Sequence, residues 1–423
     1  MVRDCPERIL RAVEFESKKK DLYQEVGKME LQERIQQVMD EAVESSLVAG
    51  VNFLVEKDDR ELFYAEAGKA DIDKNRFMKR DTVFRLYSQT KPVTAAAAMI
   101  LMERGELELF QNVGEFLPAY NKLKVENKDG SITPATRPLT IYNLLCMTSG
   151  LSYPNDMNAS GRASAAVFEE ACARLRTDKE MTTRELADRL AECPLAYEPG
   201  TSWEYGTSAD VLGAVIEAVS GKPLPEFMEE EIFKPLGMKD TAFWVPGEKQ
   251  CRLAGVYETV QDEWGKASLI PYTGDNLAIN HSMDHIPAYA AGGAGLASTL
   301  DDYMRFARML RNGGSLDGKR ILKPKTVEFL TGAQLMPLQQ KSFDNWVGLS
   351  GFSYGNLMRV CKNPAQAGLL TCRGEYGWDG WLGVYFANFP EENMTILMGT
   401  QKKDSGTFSL TRKLRNLVLS DMV

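Results

Sequence analysis

Apolar residues near the start of the chain recur at helical spacing. Leu31, Ile35, Val38, Met39 and Ala42 fall on one face of a helix predicted over 29–46. At Ala49-Gly50 the period changes. Residues 51–55 and 62–65 read as two strands joined by the charged turn 56–60. From Ser88 the pattern turns helical again, with Lys91-Pro-Val-Thr, four alanines and Met-Ile-Leu-Met running to Gly105. Proline fits only in or near a first turn, so Pro92 places the start of this helix close to Ser88. Residues 106–290 are predicted to be mostly helical with long loops, with helices at 140–146, 163–175, 183–191, 210–220 and 224–233. Two more helices follow at 301–311 and 325–330. The C-terminal third turns to strands at 352–360, 377–387 and 394–400, and a last amphipathic helix is predicted over 409–419.

Strands at both ends with helices between them predict an α/β (α+β) fold: an antiparallel sheet built from the two ends, flanked by helices, with an inserted helical subdomain. The expected division is an N-terminal extension over 1–28 and one body over 29–423. Its α/β part takes residues 29–95 and 290–423, and its helical part 96–289. Hydrophobic residues make up 44% of the 423 and charged residues 26%, enough for a large core. The net charge of -9 opposes nucleic-acid binding, which needs a basic face. The basic run Lys18-Lys19-Lys20 sits among acids and reads as a solvated helix face. The seven cysteines are odd in number and lack C-x-x-C spacing, which favours reduced thiols over a disulfide framework or a zinc knuckle. The charged first 23 residues do not read as a signal peptide, and no segment is apolar enough for a membrane span. A cytoplasmic protein without membrane association is the expectation.

Three short segments carry candidate chemistry. In Ser88-Gln89-Thr90-Lys91, the i, i+3 spacing lets the lysine amine reach the serine hydroxyl on one helical face. A serine needs such a base to become a nucleophile, and burial can lower a lysine pKa enough for it to serve. A second S-x-x-K, Ser17 to Lys20, lies in a charged stretch with no apolar wall and is assigned no function. In Pro199-Gly-Thr-Ser-Trp-Glu-Tyr205-Gly-Thr207, a tyrosine in a loop before a helix is able to share a proton with Lys91, with a phenol pKa drawn down by the ammonium. In Gly377-Trp378-Asp379-Gly380-Trp381, glycines allow close backbone approach, and strand N–H groups suit an oxyanion. Two rivals fail. Gly351-Phe-Ser353-Tyr-Gly355 matches G-x-S-x-G, but continuing strand is predicted after it and no histidine follows. His281 and His285 are four apart, yet they lack the glutamate of a zinc-binding helix and read as loop residues near a cleft rim. No metal and no other cofactor is implied.

Together these segments resemble the serine β-lactamase and penicillin-binding protein superfamily. The nearest branch is the class C-like one, which includes family VIII carboxylesterases, D-amino-acid peptidases and acyltransferases. The resemblance also rests on Leu144-Leu-Cys-Met-Thr-Ser-Gly-Leu, Asp210-Val-Leu-Gly-Ala-Val-Ile-Glu, Phe233-Lys-Pro-Leu-Gly-Met-Lys-Asp-Thr and Ala291-Gly-Gly-Ala-Gly-Leu-Ala-Ser-Thr. These occur in the family's order over about residues 30 to 420. It implies that Ser88 is the acylated nucleophile and that Lys91 and Tyr205 are the general base pair. The N–H groups of Ser88 and Trp381 become the oxyanion hole, and Gln89, Thr207, Trp378, Asp379 and Gly380 become substrate contacts. Two departures stand out. Thr207 replaces the usual Asn or Ser, and the third triplet opens with Trp378 where β-lactamases and transpeptidases have lysine. An Asp379 facing the site would repel carboxylate-bearing substrates such as β-lactams. The expected function is therefore a carboxylesterase or acyltransferase acting on small-molecule esters. A D-amino-acid peptidase or weak β-lactamase acting on amides is the alternative within enzymes, and an inactive ligand-binding homologue the alternative outside them. The sequence leaves the oligomeric state open.

Overall fold

A computed structural model describes residues 30–346 and 348–422. The predicted extension 1–28, with Cys5 and the Ser17 to Lys20 match, lies outside them. The elements that build the body, in chain order, are helix α1 (30–44), strands β1 (Gly50–Lys57), β2 (Arg60–Asp71) and β3 (Arg76–Phe77), and helices α2 (Lys91–Glu103), α3 (Ala159–Arg174), α4 (Ser208–Ser220) and α5 (Leu300–Arg311). Strands β4 (Phe352–Gly355), β5 (Met358–Cys361), β6 (Tyr376–Asp379), β7 (Tyr385–Phe389) and β8 (Met394–Gly399) then lead into helix α6 (Ser409–Met422).

The eight strands form one antiparallel sheet in the order β4-β5-β6-β7-β8-β1-β2-β3. The two ends of the chain meet where β8 pairs with β1, Phe53 opposite Met398. Alternation along the strands sorts side chains to two faces. Val51, Phe53, Val55, Tyr385, Ile396 and Met398 pack with Leu31, Ile35 and Met39 of α1 and with Leu410, Leu414 and Val418 of α6. Leu54, Tyr376, Trp378, Phe386 and Leu397 face the larger core formed with α2, α4 and α5. Burial of each such large side chain contributes about 1.5–3 kcal/mol. Strands covered on both faces have no solvent side, which is why β1 is buried without alternation from Gly50 to Glu56, Asn52 included.

Several predicted elements differ in detail. The strand predicted over 352–360 is the hairpin β4–β5, because Asn356 and Leu357 take left-handed φ of 48° and 64°. The strand predicted over 377–387 is two strands, β6 and β7, reversed by a turn in which the Gly383 N–H donates to the Gly380 carbonyl. That turn places Trp381 at the rim of the sheet. The predicted helical region also holds two small hairpins, Lys124–Glu126 with Ile132–Pro134 and Tyr257–Gln261 with Ala267–Pro271. Among the described residues no helix is long and apolar enough to cross a membrane. The six described cysteines are all unpaired thiols.

Candidate active site

The approach to Ser88 is strained. Residues Tyr87–Thr90 form one 3-10 turn that runs directly into α2. Tyr87 takes φ 44°, a conformation that costs a non-glycine residue about 1–3 kcal/mol. Packing holds it there: its ring is buried and lies 4.9 Å, edge to face, from Trp381. The backbone on either side is pinned by the segment 291–298. Leu86 N–H donates to the Leu296 carbonyl at 2.8 Å, and Leu296 N–H donates to Thr90 Oγ1 at 3.1 Å. On the sheet side the close approach depends on Gly380, where a Cβ would overlap the Leu86 carbonyl oxygen. The Gly380-Trp381 turn is thereby seated against the turn that carries Ser88.

Lys91 is fully buried at the start of α2 and has three polar neighbours. Its Nζ lies 3.1 Å from Ser88 Oγ, 3.1 Å from Tyr153 Oη and 2.8 Å from the Gly293 carbonyl oxygen. Burial lowers its pKa from 10.5 to about 7, against the opposing pull of Asp210 and Asp379. A neutral amine has two N–H donors and one lone pair. Gly293 can only accept, so it takes one hydrogen. Tyr153 directs its own hydroxyl toward the Asp210 carboxylate at 3.4 Å and so accepts the other. The lone pair is left for Ser88, and the amine is set to receive the serine proton.

Asp210 holds this arrangement from below. It lies in the first turn of α4, fully buried, and accepts from Tyr289 Oη at 2.6 Å and from the Gly293 N–H at 3.0 Å. Burial raises its pKa, partly offset by Lys91. Sequence reasoning missed Tyr153, Asp210, Tyr289 and Gly293. The one signal available was an acid in the first turn of an otherwise apolar helix, which also reads as favourable helix-end electrostatics.

Tyr205 arrives on the loop before α4. The segments 147–153 and 200–206 run side by side. Glu204 N–H donates to the Met147 carbonyl, and Gly206 leaves no room for a Cβ against the Leu151 carbonyl. The rings of Tyr153 and Tyr205 thus lie 5.6 Å apart. Trp378 Nε1 donates to Tyr205 Oη at 3.0 Å, and Ser88 is a further hydrogen-bond partner of the phenol. Lys91 Nζ sits over the Tyr205 ring, 4.6 Å from its centroid, not at its oxygen. The expected fall of the Tyr205 pKa is therefore corrected. Burial raises it above the ordinary phenol value, and the Asp379 and Asp210 charges add to the rise. Around neutral pH the phenol keeps its proton.

The cleft above Ser88 has a volume of about 530 Å³ and is walled by Tyr87, Tyr153, Phe168, Tyr205 and Trp381. None of the five predicted substrate contacts lines it, Gly380 being seated against the Leu86 carbonyl. Gln89 and Thr207 are buried beneath, and the Gln89 Oε1 and Thr207 Oγ1 atoms have no hydrogen-bond partner among the described residues. Trp378 reaches the site by its indole through Tyr205. Asp379, next along β6, points to the opposite face of the sheet. There it accepts from the Thr407 hydroxyl and borders a separate cavity with Arg359 and Arg412. The expectation that it faces a substrate at Ser88 does not hold, because strand alternation sends it away. Ser353 of the G-x-S-x-G match is fully buried in β4. His281 packs beside Tyr272, with burial and Arg85 lowering its pKa to about 4. His285 is instead paired with Glu180 and Asp284, so the two histidines serve different contacts.

The beta-lactamase family model matches residues 35–419. The chain belongs to that family. It is 32% identical over 397 residues to esterase EstB of Burkholderia gladioli, covering 91% of this chain and 94% of EstB. Among solved structures it resembles EstCE1, described as a hydrolase with promiscuous acyltransferase activity, with a TM-score of 0.76 and 24% identity over 94% of this chain and 99% of that one. Simvastatin synthase (LovD) of Aspergillus terreus superposes with a TM-score of 0.74 and 20% identity, over 92% of this chain and 97% of that one. This member of the beta-lactamase family is a serine hydrolase. In it an indole bonded to Tyr205 stands where the β-lactamase triplet has its lysine.

Proposed function

We propose that this protein is a carboxylesterase or acyltransferase that forms an acyl-enzyme at Ser88 with small esters. Lys91 takes the Ser88 proton as the serine oxygen bonds to the ester carbonyl carbon. The resulting oxyanion is received by the N–H groups of Ser88 and Trp381, which the Gly380 turn brings together. As the C–O bond to the alcohol breaks, Tyr205 gives its proton to the departing oxygen and is left as a tyrosinate beside the Lys91 ammonium; in deacylation the phenolate takes the attacking group's proton and Lys91 returns its own to the Ser88 oxygen. Water or a second alcohol then attacks the acyl-enzyme by the reverse path. EstB and EstCE1 support this reading by their esterase and hydrolase activities. Free thiols suit a reducing compartment such as the cytoplasm.

The observation that carries the choice of esters over β-lactams is the cleft lining. Among the described residues no lysine or arginine walls the cleft, and the five aromatic residues Tyr87, Tyr153, Phe168, Tyr205 and Trp381 do. A substrate carboxylate finds no counter-ion there. Turnover of p-nitrophenyl butyrate, a D-amino-acid p-nitroanilide and a chromogenic cephalosporin should be compared at equal enzyme. The butyrate is expected to have the highest kcat/KM. A cephalosporin hydrolysed faster than the butyrate would overturn the ester reading.

A further inference from the structure

We propose that the Ser88 cleft selects esters carrying a positive charge at the end remote from the carbonyl, with Glu169 as the group that reads that charge. The proposal rests on the hydrolase reading above and adds the substrate's charge to it.

The cleft wall contains two carboxylates, Glu169 and Asp275, and no basic side chain. The two acids differ in how far they are neutralised. Arg176 grips both oxygens of Asp275, and the His281 N–H donates to it at 2.8 Å. Glu169, on the exposed side of α3, has no salt bridge among the described residues. Its neighbour Glu170 is the one tied to Arg174 and Arg189. Arg85, two residues before Tyr87, is buried and donates to the His281 and Ala254 carbonyls. Arg176 is held by Asp275, and Lys403 lies over the Tyr272 ring but pairs with Glu258 at 2.7 Å. Lys91 is at the floor, poised to be neutral.

The rest of the wall suits a cation as well. Tyr153 and Trp381 wall the cleft half-buried, with Tyr87 and Phe168 more deeply buried in the same wall, and aromatic rings attract ammonium groups. A trimethylammonium or alkylammonium group can therefore keep its charge near Glu169 while its methyl or methylene surface covers aromatic carbon. A carboxylate in the same place meets an unpaired acid and no donor cation. The net charge of -9 biases encounter in the same direction.

The test uses isosteric esters of the full-length enzyme. In one series, of thioesters, the charge is on the leaving thiol: butyrylthiocholine, its carbon isostere S-(3,3-dimethylbutyl) thiobutyrate and S-(3-carboxypropyl) thiobutyrate. In the other it is on the acyl group: p-nitrophenyl 4-(trimethylammonio)butyrate, the 5,5-dimethylhexanoate and the hemiglutarate. In at least one series kcat/KM should fall in the order cation, neutral, anion, with cation over neutral by about 3- to 10-fold at low salt. Glu169→Gln should shrink that ratio several-fold, and Glu169→Lys should move the preference toward the anion. A flat or reversed order in both series overturns the proposal, as does a ratio that Glu169→Gln leaves unchanged. Such outcomes with brisk turnover of the neutral esters leave the hydrolase reading standing. Failure to hydrolyse any of the six overturns both.

Discussion

Replacing Lys91 by methionine should abolish ester turnover and change how stability depends on pH. Lys91 titrates near pH 10.5 when unfolded and at about 7 when buried in the native protein. Between those values the unfolded chain holds a proton that the native chain has released. Native stability therefore rises with pH across this window, by about 1.4 kcal/mol per pH unit. Below pH 7 both states are protonated and the full cost of burying the charge is present, about 5 kcal/mol from the gap between the two values. Methionine has a similar length, is flexible and carries no charge. It leaves the Gly293 carbonyl without its 2.8 Å donor, a loss of about 1–3 kcal/mol. At pH 6–7 the variant should be the more stable protein by about 2–4 kcal/mol, and this advantage should shrink as pH rises. Urea unfolding at pH 7, 8 and 9 measures the difference. Proton uptake on unfolding at pH 8 reads the same group directly: the wild type should take up about 0.9 proton more than the variant. Parallel stability profiles for the two proteins would show that Lys91 is not the depressed base described here.

Tyr205→Phe should slow alkyl esters by about 10²- to 10⁴-fold and aryl esters much less, because an aryloxide leaves without a proton. Equal losses for ethyl and p-nitrophenyl butyrate would remove Tyr205 from the acid role. Wild-type kcat/KM should rise with pH through about 7 as Lys91 loses its proton. Asp210→Asn removes a carboxylate that favours the ammonium form, so this limb should shift to lower pH while kcat falls; an unmoved limb would mean that Asp210 does not act through Lys91. Asp379→Asn should leave p-nitrophenyl butyrate turnover within about tenfold of wild type, since its carboxylate faces Thr407 and not the cleft. A larger loss in a folded variant would restore it to the site.

The parts legible in sequence were those set by local geometry. Ser88 and Lys91 are three apart at a helix start that Pro92 and the alanines define, and the structure places Nζ 3.1 Å from Oγ. The antiparallel sheet was legible because strands lie at both ends of the chain. Contacts made through space were not. Tyr153, Tyr289 and Gly293 meet Lys91 or Asp210 only after three segments pack together. The direction of Asp379 depends on strand phase, and the turn that fixes the end of β6 was read as continuous strand. The Tyr205 pKa was expected to fall because a lysine was assumed to meet its oxygen. The amine lies over the ring instead, and burial decides the sign.

The most direct measurement is mass spectrometry of the enzyme quenched during turnover of a slowly deacylated p-nitrophenyl ester, followed by peptide mapping. One acyl group per chain is expected on the peptide containing Ser88, and none in a folded Ser88→Ala variant, which should also be inactive. An adduct on any other residue, or full turnover by Ser88→Ala, would contradict the account.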